Sequence, residues 1–284
     1  MPPRDNPTAR QVRLGVELRK LREQAARTAR EAAGLLSTDQ AKISHIEAGR
    51  IGVSEERIRR LTTFYGCADT ALIEALCAIS RERRGQFWFD EYRGVLAPDF
   101  LDVAELEWHA LALWSIQSIT VPGLFQTAGY ARTLFMGVWP KLPSEEVEAR
   151  IEHRMRRAAI LDRESPLPCH AFIHESALRM RFGGRQVARQ QLEHLLNVAE
   201  RPAVTLRVIP FTSEEFIEAT QPVVYATGVV PQLDTVRIDS VTGGSFLDAV
   251  PVVAHYKALL SRAEYCALDQ AESRQLIHHI AREL

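Results

Sequence analysis

Apolar positions in the first third of the chain fall at helical spacing. Between Arg10 and Gln24, Leu14, Leu18 and Leu21 keep the i, i+4, i+7 rhythm of one helix face. Thr28-Ala-Arg-Glu31 then has capping-box spacing, and Ala32, Ala33 and Leu36 continue the helix it opens. Ser37-Thr38-Asp39 is a run of turn and cap residues. Asp39 is the expected N-cap of a third helix, Gln40 to Ala48, with Ile43 and Ile46 inward and Gly49 at its left-handed end. Ser54 caps a fourth helix with Ile58, Leu61 and Phe64 on one face and Gly66 behind it. A fifth runs from about Asp69 to Arg84. The pattern predicts a flexible tail over residues 1–9 and an all-α five-helix domain over 10–84.

Beyond a hinge near 81–90 the pattern turns mixed. Phe100–Ser118 reads as a helix, ended by Val121-Pro122-Gly123. Further helices are expected at Gln126–Met136 and Ser144–Glu164, the second with Val147, Ile151, Met155, Ala158 and Leu161 inward. Four β-rich runs follow: Pro168–His174, Val204–Pro210, Pro222–Val230 and Thr235–Ser240. Helices stand between or after them at about Glu175–Arg181, Gly184–Glu200, Pro251–Arg262 and Asp269–Leu284. Many helices, few strands and no regular βαβ alternation predict an α+β chain. Its second part, 85–284, is expected to be mostly helical with a small, mainly antiparallel sheet.

Composition narrows the class without naming a chemistry. With 284 residues, 46% apolar and 25% charged, the chain is that of an ordinary globular protein of one or two domains. No apolar run approaches the ~18 residues of a membrane span, and the polar, Pro-rich start shows no signal peptide. Cys67, Cys77, Cys169 and Cys266 are far apart and form no CxxC pair, which fits a reducing cytoplasm. The net charge of −1 hides an asymmetry. Residues 1–66 hold 13 Lys and Arg against 8 Asp and Glu, a net +5, and the remainder holds 22 against 28, a net −6. A basic segment on an acidic body suits a polyanionic partner, though a solvated charged surface gives the same count.

The segment Thr28–Arg50 carries the chemistry. Two short helices joined by a tight turn, with Ala32 and Ala33 allowing close packing, suit a helix-turn-helix. Its second helix turns Gln40, Lys42, Ser44 and His45 outward while Ile43 and Ile46 face in. Gln bonds adenine through two hydrogen bonds, Lys bonds guanine or phosphate, and Ala41 suits a thymine methyl. Thr28, Arg30 and Arg50 suit phosphate contacts that set register on double-stranded DNA.

These residues resemble the XRE family, the Cro and phage-repressor type of helix-turn-helix regulator. Arg13-Leu-Gly-Val-Glu-Leu-Arg-Lys-Leu-Arg-Glu23, Thr28-Ala-Arg-Glu-Ala-Ala33 and Asp39-Gln-Ala-Lys-Ile-Ser-His-Ile-Glu-Ala-Gly-Arg50 carry the likeness. There are two departures. Gly34 lies inside the second helix, costing about 1 kcal/mol relative to Ala, and Ser37 stands where the family usually has a turn Gly. The rest is similar to the large C-terminal domain of actinobacterial WhiJ-type, antitoxin-like regulators. That similarity rests on Trp88…Glu91-Tyr92, Val121-Pro-Gly-Leu-Phe-Gln-Thr-Ala-Gly-Tyr-Ala-Arg132, Glu175-Ser-Ala-Leu-Arg179, Gly183-Gly184 and Thr242-Gly-Gly244. The resemblance implies a DNA-binding regulator, often paired with a small protein encoded nearby; the chain is expected to act in the cytoplasm as a homodimer, controlled through 85–284 by an effector or partner protein. The alternative it implies is an antitoxin-like interaction protein that binds DNA for autoregulation.

Weaker signals leave alternatives open. Phe87, Trp88, Phe89 and Tyr92 are read either as packing between domains or as a ligand-pocket wall. Val121-Pro-Gly-Leu-Phe-Gln-Thr127 is either a structural turn or a ligand loop, and Thr242-Gly-Gly-Ser245 is either a plain turn or a phosphate-binding loop, with no Lys or helix directly behind it. His170 and His174 share a strand face but lack a third ligand at metal-binding spacing, so no metal is expected. His153 and His194 read as surface positions. No GxSxG, HExxH, Walker or GxGxxG motif is present, and neither catalysis nor a cofactor is expected.

Overall fold

The computed structural model describes residues 6–83, 85–215, 221–240 and 243–284. The chain divides into two compact units. The first comprises Met1–Arg93, Ala97–Leu106 and Val229–Leu233; the second comprises Gly94–Leu96, Glu107–Gly228 and Asp234–Leu284. The first unit therefore does not stop at the expected boundary of 84, and it recruits two later pieces of chain.

Five helices form the first segment of this unit: α1 (Ala9–Gln24), α2 (Ala29–Leu35), α3 (Gln40–Glu47), α4 (Glu55–Phe64) and α5 (Thr70–Arg81). Each begins on a side-chain cap, at Thr8, Thr28, Asp39, Ser54 and Asp69, because the first amides of a helix have no partner within it. Leu18, Ala32, Ile43, Ile46, Ile58, Leu61 and Leu76 form the common core, joined by Val230 and Leu233 from the late segment. Arg13 donates to the Gln232 carbonyl, and Gln232 Nε2 donates to Asp69 at 2.8 Å. The segment 97–106 is tied in at the other end. The Ala9 amide donates to Asp102 at 3.0 Å, and the Thr8 hydroxyl donates to Glu105 at 3.2 Å. Residues 8 and 9, expected in a flexible tail, thus cap and begin a helix.

The second unit is built on a six-stranded sheet. Its strands are β1 (Ala112–Gln117), β2 (Cys169–His174), β3 (Val204–Ile209), β4 (Val223–Thr227), β5 (Thr235–Ser240) and β6 (Gly243–Leu247). They lie in the order β3-β2-β1-β4-β5-β6. β1–β2 and β2–β3 are parallel, while β1–β4, β4–β5 and β5–β6 are antiparallel. The sheet is therefore larger than expected and mixed. Two strands account for the larger size. The run expected as one helix over 100–118 is α6 (Pro98–His109) followed by β1, and β6 begins at Gly243 and Gly244 where a turn was expected. Thr242 lies outside the described residues.

The helices of this part are α7 (Ala128–Met136), α8 (Ser144–Ala158), α9 (Glu175–Arg179), α10 (Gly184–Val198), α11 (Val250–Cys266) and α12 (Gln270–Glu283). One sheet face, with Ile116, Phe172, Val223, Tyr225 and Val236, meets Leu260 and Ala263 of α11. The other face carries buried Leu113, Ala171, Ile173, Leu206 and Val208. His153 of α8 was expected at the surface but is fully buried, and burial pushes its pKa down to about 3. His194 is half-buried. Among the described residues no helix is long and apolar enough to cross a membrane.

Candidate nucleic-acid interface

The short helix pair α2–α3 is fixed from several sides. Thr28 accepts from the Glu31 amide at 3.1 Å, and Glu31 accepts from the Thr28 amide at 2.7 Å. These Thr28 hydrogen bonds hold the Glu31 carboxyl below the usual carboxylate range. The chain then turns through Ser37, whose φ is +50°, with the Thr38 amide bonded to the Ala33 carbonyl at 3.0 Å. Asp39 accepts from the Lys42 amide at 2.7 Å and starts α3. Ala32, Ala33, Ile43 and Ile46 are buried, so α3 can expose only its opposite side.

α1 locks the far end of α3. Arg22 forms a two-pronged pair with Glu47 at 2.6 and 2.9 Å, shielded from solvent. The helices touch so closely that a Cβ on Gly15 would stand 2.4 Å from the Glu47 carbonyl oxygen. At Gly49, φ is +72°, and a Cβ would meet the Gln11 backbone at 2.8 Å. Both glycines are needed to seat α3 on α1.

On this scaffold Gln40, Ala41 and Ser44 are exposed, and Lys42 and His45 are half-buried. Ser44 Oγ donates back to the Gln40 carbonyl at 3.2 Å, which leaves the oxygen free to accept. Arg30 and Arg50 are exposed. The Thr28 hydroxyl is committed to Glu31, donating to it at 2.8 Å. Charge is unevenly satisfied across the unit. Arg19 pairs with Glu23, Arg22 with Glu47, Arg27 with Glu31, Arg59 with Glu74 and Arg81 with Glu55. Arg30, Lys42 and Arg50 form no ion pair with a described residue. Arg57, in the first turn of α4, is a further cation of this kind that the sequence did not single out. Its place three residues after the Ser54 cap was the available signal.

The other candidate residues lie elsewhere. Phe87, Trp88, Phe89 and Tyr92 pack on one another around a 3-10 turn of the first unit, Phe87 against Phe89 at 5.2 Å and Trp88 edge-on to Tyr92 at 6.1 Å. Phe89 and Tyr92 are buried. In the second unit His170 stacks on Trp114 at 3.8 Å, and His174 caps α9 by accepting from the Ser176 amide at 3.3 Å. Among the described residues no group of three His, Cys, Asp or Glu is placed to hold a metal.

Two family comparisons match the chain. Residues 13–76 match a family described as helix-turn-helix domain, which covers α2 and α3. Residues 100–279 match one described as domain of unknown function (DUF5753). No curated protein and no solved structure matches the chain.

Proposed function

The chain belongs to the DUF5753 family and carries a helix-turn-helix domain ahead of that region; on this premise we propose that it is a sequence-specific DNA-binding transcriptional regulator. One observation carries the reading. The exposed side of α3 presents Gln40, Ala41 and Ser44, and the cations in and beside the motif, Arg30, Lys42 and Arg50, are left unpaired among the described residues where neighbouring arginines are neutralised. In the major groove Gln40 reads adenine, Lys42 reads guanine or phosphate, Ala41 meets a thymine methyl, and Ser44 and His45 read the following step. Arg30 and Arg50 hold phosphates. Thr28 sets the start of α2, its hydroxyl being engaged by Glu31.

The resemblance to XRE and WhiJ-type regulators supports the finer parts of the proposal. The protein works in the cytoplasm on nucleoid DNA as a homodimer, without catalysis or cofactor. Two copies of α3 about 34 Å apart then address a pseudo-palindromic operator. The C-terminal region dimerises and takes an effector or a small partner protein.

Genome-wide DNA pull-down, followed by salt-resolved binding to the best site, tests this. A compact inverted repeat bound ~10³-fold above random DNA is expected. Gln40→Ala should cost about 1–3 kcal/mol on that site and little on random DNA. Arg50→Ala should weaken both equally and flatten the salt slope by about one unit. Cognate affinity unchanged by Gln40→Ala would place base reading on other residues. Weak binding everywhere, with a stable complex on co-expression of a neighbouring small protein, would favour the antitoxin-like alternative.

A further inference from the structure

The Val121-Pro-Gly-Leu-Phe-Gln126 run forms a hydrogen-bonded loop in the second unit. Its 3-10 turn, Gly123–Phe125, leads to Gln126, which is buried. Gln126 Nε2 donates to the Val121 carbonyl at 2.8 Å, so its Oε1 is turned outward from the loop as an acceptor. Arg154 of α8 donates to that oxygen from Nη1 at 2.6 Å. The Arg154 guanidinium also lies over the Phe135 ring, 5.0 Å from its centroid. Gly123 leaves room for the approach: a Cβ there would stand 3.2 Å from Arg154 Nη1 and 3.4 Å from Arg157 Nη2, a tight fit at the tips of two flexible side chains.

Arg154 differs from its neighbours in having no carboxylate among the described residues. Arg157, one turn along, holds buried Glu107 with two bonds at 2.5 and 2.8 Å. Arg237 of β5 holds Asp239 at 2.8 Å. Arg154 is bonded to a neutral amide, and its Nε is covered from solvent with no acceptor among the described residues. The charged groups that face it are the cations Arg157 and Arg237 and the anions Glu107 and Asp239, and each anion is already engaged by another arginine. Neither carboxylate is bonded to Arg154. Burial, with the nearby Arg157 charge, lowers the Arg154 pKa to about 9. A cation in such surroundings is costly unless a counter-charge arrives.

We propose that Arg154 anchors an anion-binding site in the second unit, for a small molecule bearing a carboxylate or phosphate group. Gln126 and Phe135 hold the guanidinium in place. The residue is half-buried, so part of it stays within reach of solvent. Both anion classes present two oxygens to the guanidinium fork. Such a ligand would be the effector of the regulator proposed above, and to that extent the inference rests on that reading. Anion binding itself is measured without DNA.

The test is thermal unfolding of the full chain in a chloride buffer of low ionic strength, with inorganic phosphate or citrate added. Wild type should gain roughly 5–10 °C at a hundredfold excess over Kd, and Arg154→Met should lose that gain. Without added anion, Arg154→Met should melt at or above the wild-type temperature, since an uncompensated cation has gone. At saturating anion the order should reverse. A response to phosphate alone marks a phosphorylated ligand, and one to citrate alone marks a carboxylate. Equal responses in both proteins place the anion elsewhere and overturn the proposal. So does an unmoved wild type at about 10 mM of either anion, or an Arg154→Met protein destabilised in anion-free buffer. Loss of operator binding with this response intact would sink the regulator reading and leave the site standing.

Discussion

At Ser37 an L-residue holds the left-handed conformation that ends α2, as Ala26 does after α1, whereas Gly49 and Gly66 serve the same role after α3 and α4. Three residues earlier, Gly34 lies inside α2 with open space where a Cβ would stand. Glycine is thus absent where the backbone favours it and present where it weakens the helix. Ser37→Gly and Gly34→Ala should each stabilise the protein by up to about 1 kcal/mol. The reading is the denaturant midpoint at unchanged m, and a lowered midpoint in either would contradict the backbone account. Glu105 sets a pH dependence at the same scale. Burial, aided by Asp102 and Glu82, raises its pKa to about 7 against an opposing bond from Thr8. A carboxyl raised in this way stabilises the fold with its proton on. Its contribution is complete below about pH 4.5 and fades as pH rises through about 7. Glu105→Gln should therefore out-melt wild type at pH 8, by on the order of 2 kcal/mol. The two should converge near pH 5, and a difference independent of pH would remove Glu105 as the cause.

Between elements, the crossing of α1 over α3 decides where the exposed side chains of α3 stand. Gly15→Ala would force its Cβ against the Glu47 carbonyl, a backbone atom that cannot swing away. The expected cost is roughly 2–4 kcal/mol. DNA affinity should also fall in the fraction that stays folded, as seen by combining thermal unfolding with titration at low temperature. Unchanged affinity in a destabilised protein would show that α3 keeps its seat without α1. This region was legible in the sequence because its determinants are local: Asp39, the Ile43–Ile46 pair and Gly49 lie within eleven residues. β1 was not, since it pairs with β2 on one side and β4 on the other. A strand buried on both faces lacks the alternation that separates strand from helix. β6 was hidden by its two leading glycines, which read as a turn. Arg154 escaped for a related reason. It sits between the inward positions Ile151 and Met155, and what surrounds it comes from Gly123, Gln126 and β5, far along the chain.

On the scale of the whole molecule, the helix-turn-helix unit is discontinuous. Leu101, Val103 and Ala104 are buried in its second segment, and Val230 and Leu233 join its core from the third. A fragment spanning residues 1–84 holds all five helices of the domain yet lacks both pieces. It should melt well below the same helices in the full chain, and Leu233→Ala in the full chain should cost about 2–4 kcal/mol. Hydrogen exchange along α1 and α5 would report both, and a fragment as protected as the intact protein would refute the dependence. The order of synthesis acquires meaning from this arrangement. Roughly 140 residues separate the end of the first segment at Arg93 from the start of the last at Val229. At about 5–20 residues per second, a ribosome needs on the order of 10 s to cross that stretch. For that interval the emerging chain has its helix-turn-helix but not the last pieces of the core that hold it, so a message broken in between yields a helix pair without its full support.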